Sequence, residues 1–275
     1  MKTIVAATDF SQVSLNAVEY AADMACMTDA TLVLFHVCSI PIPISELPVA
    51  PYSVEELEKE AQAEIDQLKE ELLNRTRDRI IIHSEVRSGD VISELTEYCA
   101  RIKPHTVVIG AESAHGLERA MLGGKTLSAL KRLQFPLLVV PPFIKFNNIR
   151  KIGLACDLRE VAESVRVQEI KELVDEFKAE LHVLHVIEES RDTFRPEIIE
   201  QSGFLQEMLR KMKPVYHFIN EPVIEKGIIN FAEENKLDLL IIIPKYHSLV
   251  NRILKYSHSK QLVLHAHIPV MSLHE

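Results

Sequence analysis

The chain has 275 residues, of which 47% are hydrophobic and 26% charged, so it can bury a sizeable core beneath an ordinary charged surface. At roughly 100–200 residues per domain, this length predicts two domains or one large one. The formal net charge is −9 and the basic residues form no run, which argues against nucleic-acid binding.

No stretch approaches the ~18 consecutive apolar residues of a membrane span, and the early polar residues argue against a signal peptide. The four cysteines have no CxxC spacing, so a reduced, cytoplasmic setting fits them better than a disulfide framework.

In chain order, apolar runs alternate with helical periodicity. For the first half this pattern predicts strands near residues 3–7, 32–37, 80–86, 106–109 and 137–140. It predicts helices near residues 14–27, 54–75, 90–102 and 125–133.

The second half repeats the first at fixed offsets. Asp157 follows Asp9 by 148 residues, whereas Pro269 follows Pro136 by 133, so the second half is shorter by 15 residues in its middle. Turn-forming residues gather over 141–148, which predicts one domain at 1–142 and a second at 149–275.

Several of the predicted strands are continuously apolar, which suits strands buried on both faces of a parallel sheet. We therefore expect an α/β fold: two tandem open-sheet domains with five mostly parallel strands each, Rossmann-like in arrangement. Such sheets bind ligands beyond the carboxyl ends of their strands. The candidate site residues then follow strands, at Thr8-Asp9, at Val37-Cys38 and after Ile109.

Four of the eight glycines fall between residues 110 and 124, just before a predicted helix. Backbone amides at a helix start bind anions, and glycine lets a phosphate approach the backbone. Lys125 and Thr126 add a charge and a hydroxyl there. The run GGKT is not a P-loop, because Arg119 stands where that motif needs a glycine.

Four motifs together resemble the universal stress protein family: the strand ending ATDFS, the second strand ending HV, the glycine segment and the closing FPLLVVP. The resemblance covers both halves, so the chain is similar to a tandem pair of such domains. It implies the adenine nucleotide α-hydrolase-like variant of the fold.

Nucleotide-binding members of that family carry a glycine pattern that falls here on Gly110, Ser113, Gly123 and Gly124. Ser113 replaces a glycine, and Gly124 replaces a serine or threonine, so two of the four positions depart from the pattern. Ser113 is small enough to permit close approach, Gly124 keeps its backbone amide, and Lys125 offsets the lost hydroxyl.

The resemblance also implies a role for each candidate residue. Ala7, Thr8 and Asp9 would lie near the nucleoside, and Val37 would contact adenine through its backbone. Facing the phosphates would be Gly110, Gly123, Gly124 and Thr126.

The second half departs further from the pattern. Ile243, Tyr246 and Tyr256 occupy its three glycine places, and Ser257 alone matches. Side chains there would stand where a phosphate should meet the backbone, so we expect the second domain to be degenerate.

Structural explanations compete with the functional ones. Asp9 is also a candidate helix N-cap, and the glycines also suit turns and packing. His36 and His185 are expected to be core residues satisfied by the backbone rather than ligands. Cys38 is the one cysteine expected to expose its thiol.

No catalytic constellation or metal site emerges, so at most slow ATP hydrolysis is expected. The first hypothesis is a cytoplasmic stress-response protein whose first domain binds ATP or AMP as a sensor, with Mg²⁺ only if ATP is bound. The alternative is a scaffold that binds no nucleotide and acts through protein partners. The resemblance implies a pseudo-dimer within one chain through strands 137–140 and 270–273, and leaves a further homodimer open.

Overall fold

The computed structural model describes residues 2–38, 53–111, 124–158, 161, 165–187, 196–244 and 252–274, with only the backbone at 124–125, 196–198 and 252–257. The chain divides into two compact units, Met1–Phe146 and Asn147–Glu275. Among the described residues, no helix is long and apolar enough to cross a membrane.

The first unit alternates strands and helices. Its strands are β1 (Thr3–Thr8), β2 (Thr31–Cys38), β3 (Ile82–Ser88), β4 (Thr106–Gly110) and β5 (Leu137–Val140). Its helices are α1 (Gln12–Thr28), α2 (Val54–Thr76), α3 (Val91–Ile102) and α4 (Gly124–Arg132).

The second unit repeats the order. Its strands are β6 (Lys151–Ala155), β7 (Glu180–Ile187), β8 (Val215–Asn220), β9 (Leu239–Ile242) and β10 (Val270–Ser272). Its helices are α5 (Val167–Phe177), α6 (Pro196–Leu209), α7 (Ile224–Glu234) and α8 (Arg252–His265), and a 3-10 turn over Arg210–Met212 precedes β8.

Each unit has the same strand order. The first reads β3-β2-β1-β4-β5 and the second β8-β7-β6-β9-β10, with parallel pairing throughout the described ladders. The order reverses between β1 and β4 and between β6 and β9, and such a switch point opens a crevice at the carboxyl ends of the strands. The predicted α/β class and open parallel sheets are confirmed.

The central strands are buried on both faces, as their continuous apolar sequence predicts. All four residues of β5 and of β9 are buried, and Phe35 of β2 is among the largest fully buried side chains. Burying a side chain of that size stabilises the fold by about 1.5–3 kcal/mol relative to leaving it in water. This core fixes where each strand ends and so positions the loops that follow.

In each unit, one histidine of the second strand forms a hydrogen bond to the backbone where the first strand leads into its loop. His36 Nδ1 donates to the Thr8 carbonyl oxygen at 2.8 Å, and His185 Nδ1 donates to the Cys156 carbonyl oxygen at 3.0 Å. A carbonyl only accepts, so Nδ1 carries the proton in both rings. The prediction that the backbone satisfies these two side chains is confirmed, and the matching bonds reflect the internal repeat.

Candidate functional site

A cavity of about 100 Å³ lies in the first unit at the carboxyl ends of β1, β2 and β4, where the strand order reverses. Its lining is mostly apolar, with a polar side formed by hydroxyls and one carboxylate. The lining residues are Ala7, Thr8, Asp9, Ser11, Val13, Ser14, Phe35, Val37, Val91, Ile92, Leu95, Ile109, Gly110, Thr126 and Ala129.

Six of the ten predicted site residues line this one cavity. They are Ala7, Thr8, Asp9, Val37, Gly110 and Thr126. Gly124 and Lys125 form the first turn of α4, where the structure describes the backbone alone. Ser113 and Gly123 lie outside the described residues, so their predicted roles stay predictions.

The loop from Thr8 to Ser14 is held by hydroxyl groups. Thr8 Oγ1 lies 3.0 Å from Ser14 Oγ and accepts a hydrogen bond from the Phe10 amide at 3.0 Å. Ser14 Oγ accepts from the Asp9 amide at 3.3 Å and donates to the Ser11 carbonyl oxygen at 3.0 Å. These bonds fix the path of the chain between β1 and α1, so the polar side of the cavity is preformed.

The N-cap of α1 is Ser11, which corrects the alternative explanation that assigned this role to Asp9. Ser11 lies two residues after Asp9, and its Oγ accepts a hydrogen bond from the Ser14 amide at 3.3 Å. The Asp9 carboxylate instead accepts from the Ser11 amide at 3.1 Å, and its side chain is exposed at the rim of the cavity. The cap of α1 therefore does not depend on the Asp9 carboxylate.

Three helices begin at the cavity. Ser11 and Ser14 belong to the start of α1, Val91 and Ile92 to the start of α3, and Thr126 to the first turn of α4. Neither α1 nor α4 has an acidic residue in its first turn. The helix dipoles therefore make this end of the sheet favourable for a negative charge.

The start of α3 is already occupied by a carboxylate. Asp90 caps it by accepting hydrogen bonds from the Ser93 amide at 3.0 Å and the Ser93 hydroxyl at 2.8 Å. Those bonds, from the hydroxyl first and then the amide, lower the pKa of the Asp90 carboxyl. An additional anion is thus better accommodated by α1 and α4 than by α3.

Gly110 has a packing reason to be glycine. A Cβ at this position would lie 2.8 Å from the Val13 carbonyl oxygen and 2.8 Å from Val13 Cγ1. The end of β4 therefore touches the first turn of α1, and a side chain would push the two apart. This contact explains the glycine without a phosphate, although the residue also lines the cavity.

Most of the apolar wall of the cavity, and two of its hydroxyl residues, were not predicted from the sequence. Sequence reasoning missed Ser11, Val13, Ser14, Phe35, Val91, Ile92, Leu95, Ile109 and Ala129. The spacing of Ile92 and Leu95 indicates an apolar helix face, and both are buried. Nothing in that spacing distinguishes a face that covers the sheet from one that also closes a cavity.

The second unit differs at the corresponding place. By the 133-residue offset, Glu225 of α7 stands where the first unit has Ile92 in the cavity wall. His258 lies 2.7 Å from the Glu225 carboxylate, through Nδ1. The second unit thus has a carboxylate bonded to a histidine where the first has an apolar side chain, a difference that the sequence comparison did not predict.

The bulky residues expected in the second unit are only partly described. Ile243 directly follows β9 and is half-buried. Tyr246 lies outside the described residues, and nothing is described of the side chains of Tyr256 and Ser257. The predicted blockage by tyrosines therefore stays a prediction.

The expectation about Cys38 was wrong. Its side chain is buried, and Sγ donates to the Leu57 carbonyl oxygen at 3.7 Å, because α2 covers the end of β2. Burial, followed by the nearby Glu58 carboxylate, raises the pKa of the Cys38 thiol. Within the described part of the chain, no three His, Cys, Asp or Glu side chains are arranged to hold a metal ion.

Comparison with known proteins identifies the lineage of this fold. The model of the universal stress protein family matches residues 1–141 and again residues 148–274. The chain belongs to the universal stress protein family. It is a tandem member, with one family domain in each structural unit.

The relatives agree with this assignment. A universal stress protein of Methanocaldococcus jannaschii is 30% identical over 145 residues, which cover 50% of this chain and 81% of that protein. A universal stress protein of Archaeoglobus fulgidus has a TM-score of 0.74 at 17% identity, over 98% of this chain and 97% of that one. The match to the Archaeoglobus structure extends over the residues of both units and agrees with the tandem α/β fold.

Another related structure was solved with a ligand. It is a universal stress protein in complex with cAMP, 23% identical over 51% of this chain and 97% of that chain, with a TM-score of 0.40. Nucleotide binding is a property of that relative.

Proposed function

We propose that the first domain of this universal stress protein binds an adenine nucleotide, ATP or AMP, and acts in the cytoplasm as a sensor or regulatory module. The observation that carries the proposal is the cavity at the switch point of the first sheet. It combines an apolar wall with hydroxyls and the starts of α1 and α4.

The chemistry of the lining suits the two ends of a nucleotide. A purine ring is flat and largely apolar, and Phe35, Val37 and Leu95 provide an apolar surface for it. The Asp9 carboxylate, exposed at the rim, suits the hydroxyls of a ribose, because a carboxylate accepts two hydrogen bonds.

The phosphates would lie towards α4. Thr126 is 2% exposed, and its hydroxyl makes a long contact of 3.5 Å with the Gly110 carbonyl oxygen. The amides of the first turn of a helix have no partner within the helix, so those of Gly124, Lys125 and Thr126 suit an anion. Lys125 adds a positive charge at the same turn.

The cavity is small for a whole nucleotide. Ligand pockets usually measure about 300–1,000 Å³, whereas this one measures about 100 Å³. We therefore assign the cavity to the base and ribose, with the phosphates outside it along the start of α4.

The test is a thermal-shift and calorimetric titration of the full chain with ATP, with and without Mg²⁺, and with AMP. A ligand at about 100 times its Kd stabilises the folded state by ~2.7 kcal/mol, so a clear rise in melting temperature is expected. No rise at millimolar nucleotide would refute the proposal and leave the alternative, a scaffold that acts through protein partners.

A matched pair of variants locates the site. Val91→Phe fills the cavity from the start of α3 and should abolish nucleotide binding. Ile224→Phe makes the same change at the equivalent position of α7, 133 residues later, and should leave binding intact. If Ile224→Phe lost binding and Val91→Phe kept it, the nucleotide would bind in the second domain, and the proposed site in the first domain would be refuted.

A further inference from the structure

β8 is the outer strand of the second domain's sheet, and its outer edge is unpaired among the described residues. Among the described residues, β8 pairs with β7 alone, from His182 opposite Val215 to Ile187 opposite Asn220. The other side of β8 therefore carries backbone amides and carbonyls that no described strand takes up. Such an edge is a template for another strand unless it is protected.

The side chains of β8 do not protect it. The strand reads VYHFIN and contains no lysine, arginine, aspartate or glutamate. Val215 is 48% exposed and Phe218 is 54% exposed, so the strand presents two large apolar side chains to solvent. Both features favour association rather than solvation.

The equivalent strand of the first domain is protected. In β3, Arg87 and Glu85 form an ion pair at 2.7 Å, and the Ser88 hydroxyl donates to the Glu58 carboxylate of α2 at 2.6 Å. Charges on an edge strand oppose pairing with another chain. β3 is also an outer strand, so what distinguishes the second domain is an outer strand without charged side chains.

The charges around β8 fit a second copy of the same strand. Arg210, Lys211 and Lys213 precede it, and Glu221 follows it. Among the described residues, the ion pairs of Arg210 and Glu221 are long, at 3.7 Å to Glu207 and 3.9 Å to Lys226. An antiparallel second copy brings each basic flank over the other acidic flank, whereas a parallel copy sets like charges together.

We propose that two copies of this chain associate through β8, edge to edge and antiparallel about a two-fold axis. A pairing centred on His217 sets Tyr216 of one copy opposite Phe218 of the other, twice, on the same face of the joined sheet. Aromatic cross-strand pairs of this kind stabilise antiparallel ladders. The occupant of the edge is thus an identical strand, which closes the interface without leaving a further edge there.

Sedimentation of the full chain over roughly 1–200 µM tests this, because a micromolar dimer dissociates within that range. The wild type should sediment at twice 31.2 kDa at the upper end. Phe218→Lys places a charge on the edge and should weaken association at least about tenfold, or 1.4 kcal/mol. Phe143→Lys, at a phenylalanine that is 88% exposed outside β8, should leave association unchanged.

Two further measurements keep the test decisive. Val215→Lys places a charge at the other exposed apolar position of β8. It replaces Phe218→Lys as the test variant if Phe218→Lys folds poorly. Hydrogen exchange of the β8 amides should slow as the wild type is concentrated, since new backbone bonds form there. A wild type that is monomeric throughout, or a dimer that survives both lysine variants, would overturn the proposal.

Discussion

Substitution of Gly110 by alanine tests how closely the end of β4 packs on α1. The added Cβ would meet three atoms of Val13 within 3.0 Å, two of them in the backbone: the carbonyl oxygen at 2.8 Å and the carbonyl carbon at 3.0 Å. Backbone atoms cannot turn away as a flexible side chain can. The strand end and the first turn of α1 must therefore separate, or the substituted chain must carry strain.

The expected cost follows from two opposing effects. Overpacking in a well-packed site costs about 1–3 kcal/mol. Gly110 is not at a positive φ, so alanine also reduces the freedom of the unfolded chain, which offsets about 0.4–1 kcal/mol. The free energy of unfolding of the first domain should fall by about 1–2 kcal/mol, or roughly 2–8 °C in melting temperature.

Gly203→Ala is the matched control. Gly203 lies within α6, and a Cβ there would meet nothing within 4 Å. Alanine should stabilise this exposed helix position by about 0.5–1 kcal/mol. The chain has no tryptophan, so denaturant unfolding followed by circular dichroism is the suitable assay. If Gly110→Ala were as stable as Gly203→Ala, the packing explanation of Gly110 would be refuted.

Three further predictions concern buried groups. His182 Nδ1 and His217 Nε2 lie 3.0 Å apart, and burial lowers the pKa of both rings, so the unfolded chain binds more protons below pH ~6.5 and the free energy of unfolding should fall there. His182→Val should flatten this pH dependence in denaturant titrations, and an unchanged slope would contradict it. Asn16 donates to two backbone carbonyls after β5, at 3.2 and 3.0 Å, so Asn16→Ala should cost about 1–3 kcal/mol in urea unfolding; an unaffected midpoint would show that water replaces both bonds. Burial raises the pKa of the Cys99 thiol to about 12, so mass spectrometry should find it unalkylated by iodoacetamide at neutral pH while the chain is folded. Rapid labelling of Cys99 in the folded chain would show that the site opens locally.

The sequence predicts most of the fold because its strands are strongly apolar and its helices strongly periodic. The expected strand at residues 137–140 agrees with β5, and the expected helix at 54–75 agrees with α2 to within one residue. The helix expected at 14–27 begins two residues earlier, at Gln12. By residue type, Asp9 and Ser11 are both suitable N-caps. The hydrogen bond from the Ser14 amide to Ser11 Oγ decides between them, and only the folded loop supplies it.

The candidate site is less predictable, for a different reason. Residues at strand ends, such as Thr8 and Gly110, follow from the rule that parallel sheets bind ligands at their carboxyl edge. The apolar wall depends on the depth to which α3 settles on the sheet, which no local pattern encodes. The same holds for Cys38, whose burial results from a helix that begins 16 residues later along the chain.

The histidine clasp on the first loop has a consequence for engineering this molecule. His185 secures the Cys156 carbonyl of the second domain in the same way that His36 secures Thr8, although the neighbouring chemistry differs. This hydrogen bond from histidine to the backbone is therefore part of the fold itself and does not depend on which ligand a domain binds. Loops transplanted beyond Cys156 would start from an anchored point, which makes the second domain a suitable host for a grafted binding function.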